Sequence, residues 1–213
     1  MLRVACVKKG EKYGAEYVRN LQAGVARHLS IEHEFLCLTD TPMVGVNCEL
    51  LKHDLPGWWS KLELFRDGLF SRDDRVLYFD VDTLMVDNID DIASYDGPFT
   101  ILRDAYRPWG YQSGVMAFPG NSCVDIWDEW CRVGQPKLEG GDQAWIECMR
   151  HDIALLQDLF PDRLLSYKAN CRNQIPPGAS VVFFHGHPKP PECNGWVVDH
   201  WRNDHRIPMA KSA

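Results

Sequence analysis

The first half of the chain alternates short apolar runs with longer stretches whose apolar residues recur every three or four positions. Short runs are typical of buried strands, and the longer period is typical of helices that bury one side. The pattern predicts strands over residues 2–7, 34–38 and 75–79, and helices over 13–29 and 60–70. Strands and helices that alternate in this way favour a parallel α/β sheet covered on both faces.

The second half is less regular. Strands are predicted over residues 99–102, 114–118 and 181–184, and helices over 123–131 and 143–149. The remainder is rich in proline and glycine, which are typical of loops. Since no repeat, linker or low-complexity tract divides the chain, we expect residues 1–213 to form a single domain.

Composition narrows the class of protein. The 213 residues are 45% hydrophobic and 25% charged, which is typical of globular proteins rather than disordered ones. The formal net charge of -7 argues against a nucleic-acid partner, because phosphate-backbone binding normally requires a basic stripe. No apolar run approaches the ~18 residues that a transmembrane segment needs. We therefore expect a cytoplasmic protein, which a lipid-linked substrate would bring to a membrane surface.

The eight cysteines include no Cys-x-x-Cys pair, so their spacing argues against a structural zinc site. Cys123 and Cys131 lie eight residues apart in a predicted helix, which is ~12 Å along its axis. That separation exceeds the ~7 Å limit for the Cα atoms of a disulfide. We expect core thiols in a reducing compartment.

The acidic sequence that ends the third strand carries the strongest chemical signal. Residues 75–79 lead directly into Asp80 and Asp82. Alternate residues of an extended chain share a face, and open α/β sheets bind ligands at the carboxyl ends of their strands. Two neighbouring carboxylates repel each other unless a cation or a proton intervenes. A hard divalent ion such as Mg²⁺ or Mn²⁺ would relieve that repulsion.

Other interpretations of this sequence exist. An Asp-x-Asp can simply be an acidic turn that closes a strand. The phosphatases of the haloacid dehalogenase type carry Asp-x-Asp-x-Thr, whereas Thr83 follows Asp82 directly. An EF-hand loop that began at Asp80 would need glycine and glutamate where this chain has Met85 and Asp91. Neither motif fits.

Several segments of the sequence share an order with one family of enzymes. In chain order they are Tyr13 with its following helix, Lys61, Val-Leu-Tyr-Phe-Asp-Val-Asp (76–82), Gly-Tyr-Gln-Ser-Gly-Val-Met-Ala-Phe (110–118), Gly-Asp-Gln (141–143) and Phe-His-Gly-His-Pro-Lys-Pro (184–190). Together these segments resemble the GT-A-fold glycosyltransferases, and among them the family 8 enzymes such as glycogenins and galactosyltransferases. The resemblance covers most of the chain. It implies a single-domain, Rossmann-like GT-A fold with a nucleotide-binding half over about 1–95 and a sugar and acceptor half over about 96–213.

The resemblance also implies a ligand set. Asp80, Asp82 and His185 would hold a metal ion. An imidazole beside two carboxylates suits Mn²⁺ better than Mg²⁺, although Mg²⁺ is possible. The donor would be a nucleotide sugar, with uridine diphosphate as the expected nucleotide. The acceptor would be a carbohydrate, a lipid-linked sugar or a protein.

Roles for further residues follow from the same resemblance. Asp142 would bind hydroxyls of the donor sugar and Gln143 would lie near the reacting face, with retention of configuration. Asp142 could equally be a helix N-cap. The residues expected to bind the donor are Tyr13, Asp40, Lys61, Asp104, Gln112, Ser113, Gly186 and Lys189.

Two further functions and one set of side chains remain open. A sugar-phosphate nucleotidyltransferase shares a similar core, but it usually has a glycine-rich loop with arginine and lysine, whereas residues 8–13 contain one glycine. A non-catalytic nucleotide-sugar-binding protein would have the same metal site. The tryptophans Trp58, Trp59, Trp109 and Trp145 are most simply core and loop anchors, and an acceptor platform is the alternative, above all at Trp109.

Overall fold

Two sheets organise the protein in the computed structural model, which describes residues 1–202. The strands are β1 (Leu2–Lys8), β2 (His33–Thr39), β3 (Cys48–Leu50), β4 (Arg75–Phe79), β5 (Leu84–Met85), β6 (Thr100–Arg103), β7 (Tyr111–Pro119), β8 (Leu164–Ser166) and β9 (Val181–Phe183). The α-helices are α1 (Ala15–His28), α2 (Asp90–Ala93), α3 (Val124–Arg132), α4 (Asp142–Met149), α5 (Leu156–Leu159) and α6 (Trp196–Arg202). Two 3₁₀ helices (Gly57–Phe65 and Pro190–Glu192) and a π-helical turn (Tyr167–Cys171) complete the elements.

The large sheet has six strands in the order β3-β2-β1-β4-β7-β6. The first four are parallel, whereas β7 runs antiparallel to both β4 and β6. Val4 of β1 lies between Phe35 of β2 and Leu77 of β4, so apolar side chains stand in register across the centre of the sheet. The predicted mostly parallel α/β sheet is confirmed.

Helices cover both faces of this sheet. On one face, Val18 and Leu21 of α1 pack in a core cluster with Phe79 of β4. On the other face, the 3₁₀ helix 57–65 and α3 pack against Tyr78 of β4, and Trp59 stacks on Trp130 with ring centroids 5.6 Å apart. Residues 76–79 of β4 are buried, and Asp80 is the first partly exposed residue after them.

The small sheet has the order β5-β9-β8 and links two distant parts of the sequence. Leu84 of β5 pairs with Val182 of β9. Leu84 lies two residues after Asp82, and Val182 lies three residues before His185. Below this pair, Tyr167 stacks on Phe184 with ring centroids 4.7 Å apart. The pairing therefore holds the segment that follows β9 beside the segment that follows β4.

One predicted element has a different conformation. The helix predicted over 60–70 is a 3₁₀ helix over Gly57–Phe65, which begins where Trp59 N donates to Pro56 O (3.2 Å). Every residue from Trp59 to Phe65 is buried, so no exposed polar face defines a helical period. Gly68, with φ of +73°, lies beyond its end. The short strands β3, β5 and β8 were also not predicted.

Two sequence-based expectations about the surface can be compared with the structure. All eight cysteines are free, and five of them are buried. Cys123 is a core thiol as expected, but Cys131 is exposed because it faces away from the sheet on α3. Within residues 1–202, no helix has the length and apolar character needed to cross a membrane.

Candidate functional site

The turn after β4 directs two carboxylates toward one end of the large sheet. Asp80 N donates to Gly114 O on β7 (2.7 Å), which continues the strand pairing by one residue. Thr83 N then donates to Asp80 O (3.0 Å) and closes a turn. The side chain of Asp80 is 28% exposed, whereas that of Asp82 is 3% exposed. The two carboxylates therefore have different surroundings.

A buried lysine connects Asp80 to Asp142. Lys61 Nζ lies 2.9 Å from Asp80 Oδ1 and 3.3 Å from Asp142 Oδ2. It also lies 3.0 Å from the Oγ of Ser113, whose hydroxyl donates to Asp142 Oδ2 (2.6 Å). On the other side, Tyr78 OH donates to Asp80 Oδ1 (2.6 Å). Four elements thus meet in one polar network: the 3₁₀ helix 57–65, β4, β7 and α4.

Burial and charge act in opposite directions on the pKa values in this network. Burial by itself would lower the pKa of Lys61, but the charges of Asp142 and Asp80 outweigh it and raise that pKa. Burial raises the pKa of Asp142, although Lys61 and Ser113 partly counteract it. Lys61 is therefore held as a cation, and its charge offsets the cost of burying the Asp142 carboxylate.

A second lysine compensates Asp82. Lys189 Nζ contacts Asp82 Oδ2, and the OH of Tyr13 donates to the same oxygen (3.3 Å). Lys189 Nζ also lies 5.5 Å from the centroid of the Tyr13 ring. The pKa of Asp82 is raised by burial and by the charge of Asp80, and Lys189 opposes both. Asp82 therefore remains buried with a cation and a phenol hydroxyl as its partners.

A cavity of about 250 Å³ opens at this end of the sheet. Three lysines contribute to its wall, although the protein as a whole carries a net charge of -7. The lining comes from β1 and the loop after it, from the 3₁₀ helix 57–65 and from the end of β4: Val7, Lys9, Lys12, Tyr13, Gly57, Trp58, Ser60, Lys61, Tyr78, Asp80, Val81 and Asp82. Cations, carboxylates and aromatic rings on one cavity suit a ligand with phosphates and rings.

The donor set fits a divalent cation in part. Hydrogen bonds engage Oδ1 of Asp80 and Oδ2 of Asp82, and the other oxygen of each accepts none from residues 1–202. Each carboxylate can therefore offer one oxygen to a cation. In that same part of the chain, no group of three His, Cys, Asp or Glu side chains could hold a metal ion. Any further ligand would have to come from the bound molecule or from water.

His185 is not grouped with the two carboxylates. Its Nε2 lies 2.8 Å from the Oγ of Ser166, and its ring contacts the edge of Tyr106 at a centroid distance of 5.2 Å. Burial and the charge of Lys168 lower the pKa of His185, and Asp104 opposes them. Next to it, Gly186 has φ of +59°, and a Cβ there would lie 3.1 Å from Lys168 Nζ. The resemblance could not reveal Lys168 as a neighbour, because it lies outside every matched segment.

Three residues expected to bind a donor accept hydrogen bonds from backbone N–H groups. Asp40 accepts a hydrogen bond from Gly10 N (2.8 Å) and so fastens the loop that follows β1. Asp104 accepts from Tyr106 N (2.8 Å) and from the backbone of the next residue. Gln112 accepts from Gly114 N (2.9 Å). None of the three lines the cavity, and a role in donor binding stays a prediction for each.

Asp142 and Gln143 begin α4. Asp142 is 4% exposed and turned into the network with Lys61, whereas Gln143 is partly exposed beside it. The N-cap of this helix is Gly141, and no side-chain cap hydrogen bond is made there, so the capping interpretation of Asp142 is wrong. The short α4 therefore serves to hold Asp142 at the network.

Several cavity residues were missed in the sequence. Tyr78 lies two residues before Asp80, so strand alternation alone could have indicated that they share a face. Ser60 and the lysines Lys9 and Lys12 carried no such signal. Trp58 stood out only as one of a tryptophan pair, and the structure separates the two: Trp59 is 5% exposed and Trp58 is 58% exposed.

Neither a protein-family model nor a curated protein matches the sequence. Solved structures do match the fold. The galactosyltransferase LgtC, solved with donor and acceptor sugar analogues, superposes with a TM-score of 0.66 at 14% identity, over 97% of this chain and 98% of that one. The glycosyltransferase GlyE of Streptococcus pneumoniae TIGR4 gives a TM-score of 0.64 at 12% identity, over 94% of this chain and 59% of GlyE.

The bifunctional glycosyltransferase WbbM matches with a TM-score of 0.71 at 13% identity, over 97% of this chain and 50% of WbbM. This chain thus spans nearly all of LgtC and about half of WbbM. With its central sheet, its acidic turn after β4 and these matches, the chain has the GT-A fold of the glycosyltransferases LgtC, GlyE and WbbM.

Proposed function

We propose that this protein is a metal-dependent glycosyltransferase that moves a sugar, with retention of configuration, from a uridine diphosphate sugar to an acceptor. The observation that carries the proposal is the pair Asp80 and Asp82, each compensated by a lysine, at a lysine-lined cavity. This pair lies at the carboxyl end of a central strand, where open α/β sheets bind ligands. The fold shared with LgtC, GlyE and WbbM supports the same class of reaction.

The proposed reaction breaks the bond between the anomeric carbon and the diphosphate. The diphosphate leaves with the electron pair of that bond, an acceptor hydroxyl oxygen bonds to the anomeric carbon, and the hydroxyl proton is released. Stabilisation of the charge that develops on the leaving group is the largest demand. A bound Mn²⁺ or Mg²⁺, held by Asp80 and Asp82 with its other ligands from the bound molecule or from water, would supply Lewis-acid stabilisation of that charge.

The residues of the chain itself would divide the remaining work. Lys189 and Lys61 bring positive charge to the end of the cavity where the diphosphate would lie. Gly186 would allow the backbone to approach the phosphates, and Tyr13 would stack on the base. Because Lys61 also contacts Asp142, it would couple the phosphate end of the site to the sugar end. Asp142 would bind sugar hydroxyls, with Gln143 near the reacting face.

Ligand-dependent stability tests this proposal. Uridine diphosphate with Mn²⁺ should stabilise the protein by ~2.7 kcal/mol at 100 times the dissociation constant. For a chain of this size that corresponds to a rise in Tm of about 5–10 °C. The variant Asp82→Asn should lose this shift, measured against its own unliganded Tm. The matched control is Asp128→Asn, which alters an exposed carboxylate on α3 and should keep the shift.

The outcomes separate the proposed function from its alternatives. Stabilisation by a nucleoside triphosphate but not by the diphosphate would favour a nucleotidyltransferase. Diphosphate binding without any release of uridine diphosphate from a donor would indicate a non-catalytic binding protein. If no diphosphate stabilises the protein even with Mn²⁺, the donor site is wrong. The anomeric configuration of the product, measured by NMR, tests retention.

A further inference from the structure

Trp58 is an exposed indole in a segment that is otherwise buried. Every residue from Trp59 to Phe65 is buried, whereas Trp58 is 58% exposed and lines the cavity. Exposure of an indole forfeits the burial free energy that its neighbour Trp59 gains. The packing of the 3₁₀ helix therefore does not account for a tryptophan at this position.

Two glycines set the position of this indole. Gly57 has φ of +55°, a backbone conformation that side chains rarely adopt, and it turns the chain immediately before Trp58. Gly141 has φ of +72°, and a Cβ on it would lie 2.2 Å from Trp58 Nε1. The indole can thus lie directly on the backbone at the start of α4 only because residue 141 has no side chain.

This position joins the cavity to the residues at the start of α4. Trp58 lines the cavity together with Lys61 and Asp80, and it touches Gly141, the residue before Asp142. The partly exposed Gln143, two residues after Gly141, and the polar residues of the cavity wall offer hydrogen-bonding groups near the indole. An apolar ring next to several hydrogen-bonding groups suits a pyranose, whose C–H face packs on an aromatic ring while its hydroxyls bind polar side chains.

We propose that Trp58 is a specificity-determining residue that stacks against the ring of a sugar acceptor, so the acceptor of this enzyme is a carbohydrate. The inference rests on the proposed function and names its second substrate by class. In this proposal the carboxylates and lysines at the end of β4 serve the donor, and Trp58, which lines the same cavity and contacts Gly141 before α4, serves the acceptor. The other exposed tryptophan, Trp109, is 78% exposed but does not line the cavity.

Steady-state kinetics of the full chain test the proposal. The probes are methyl β-D-galactopyranoside, methyl β-D-glucopyranoside and maltose as sugar acceptors, with glycerol and a serine-containing peptide as non-sugar acceptors. The readout is Mn²⁺-dependent release of uridine diphosphate from UDP-galactose and UDP-glucose. We expect at least one sugar, and neither non-sugar acceptor, to raise turnover above donor hydrolysis.

For that sugar, Trp58→Ala should raise the acceptor KM about tenfold, which corresponds to ~1.4 kcal/mol. The acceptor KM should change more than the donor KM does, because Trp58 would contact the acceptor ring. Trp58→Phe should restore acceptor KM to within about threefold, since an aromatic face remains. Trp109→Ala is the matched control and should leave acceptor KM unchanged. Because Trp58 and Trp109 are both exposed, we expect both alanine variants to fold.

Specific results overturn the inference. A rise in donor KM with unchanged acceptor KM in Trp58→Ala would assign the indole to the donor. A larger rise in acceptor KM in Trp109→Ala than in Trp58→Ala would assign the acceptor platform to the loop between β6 and β7. Turnover with glycerol or the peptide but with no sugar would make the acceptor a non-carbohydrate. If wild-type protein binds no uridine diphosphate with Mn²⁺, it is the proposed function that fails.

Discussion

At the residue scale, the notable side chain is Lys61, a lysine that is only 7% exposed. Buried lysines are rare unless they are paired, and Lys61 is paired with two carboxylates and a serine. The sequence suggested a donor-binding lysine but not its link to Asp142, which is 81 positions away in the chain. That link makes Lys61 the residue on which the charge balance of the site depends.

Replacement by Lys61→Met should destabilise the protein by about 3–5 kcal/mol at pH 7, because it leaves the buried carboxylate of Asp142 without its cation. The loss should shrink as the pH falls. Asp142 already has a raised pKa in the folded protein, and a carboxyl group of this kind contributes stability that is present at low pH and is lost as pH rises through its folded pKa. Without Lys61 that pKa rises further, so the deficit is largest at neutral pH. Urea unfolding at pH 7 and pH 4.5 measures it.

The matched control is Lys137→Met, which removes an exposed lysine and should change stability by less than ~0.5 kcal/mol. A Lys61→Met variant that is as stable as wild type at pH 7, or whose deficit does not depend on pH, would contradict the proposed charge balance.

At the element scale, the sheet and its main helices were predictable because each element buries one face or two. Burial of one face makes apolar residues recur at the helix or strand period, and burial of both faces gives a continuous apolar run. The 3₁₀ helix 57–65 was not, since it is buried all round. The strands β5 and β8 are two and three residues long, too short for any alternation. Yet β5 is essential to the geometry of the site, because its pairing with β9 holds Lys189 beside Asp82.

Two glycines offer a paired prediction about element packing. Gly24 lies inside α1, and an added Cβ would meet Met85 Sδ at an ordinary 3.8 Å. Gly24→Ala should therefore raise stability by about 0.5–1 kcal/mol, through lower backbone entropy of the unfolded chain. At Gly120, after β7, a Cβ would lie 2.1 Å from Ser71 O, which is backbone. Gly120→Ala should cost about 1–3 kcal/mol.

Thermal unfolding of the two variants under one buffer condition measures both effects. Opposite shifts in Tm of a few degrees are expected for a chain of this length. A Gly120→Ala variant as stable as wild type would mean that the backbone at Ser71 can move away from residue 120, contrary to the close packing described above.

At the scale of the whole molecule, net charge and local charge differ. The chain carries -7 overall, but Lys9, Lys12 and Lys61 converge on one cavity. A negative net charge argues against binding along a phosphate backbone, but it is no argument against an anionic small molecule in one cavity. Which lysines gather at a cavity depends on the fold, because they come from the loop after β1 and from the 3₁₀ helix.

The cysteines give a prediction for the whole chain. Cys131 and Cys148 are exposed and should react first with Ellman's reagent in the native protein. Cys6, Cys37, Cys123, Cys171 and Cys193 are buried and should react only on unfolding. Burial also raises the pKa of Cys171 to about 11, which further lowers its reactivity. Denaturant without reductant should expose all eight thiols, and a smaller number would reveal a disulfide.

The sequence by itself determined the central strands, the longest helix and the place of the acidic turn. A strand buried on both faces needs a continuous apolar run, and Asp80 and Asp82 follow that run directly, so local order alone put two carboxylates at the end of a central strand. The tertiary structure alone decided which lysines compensate them. Lys189 reaches Asp82 across 107 positions, and the pairing arises from the packing of β5 on β9. Contacts of that range leave no period in a sequence, because they are fixed by how separate elements pack and not by the spacing of residues within one.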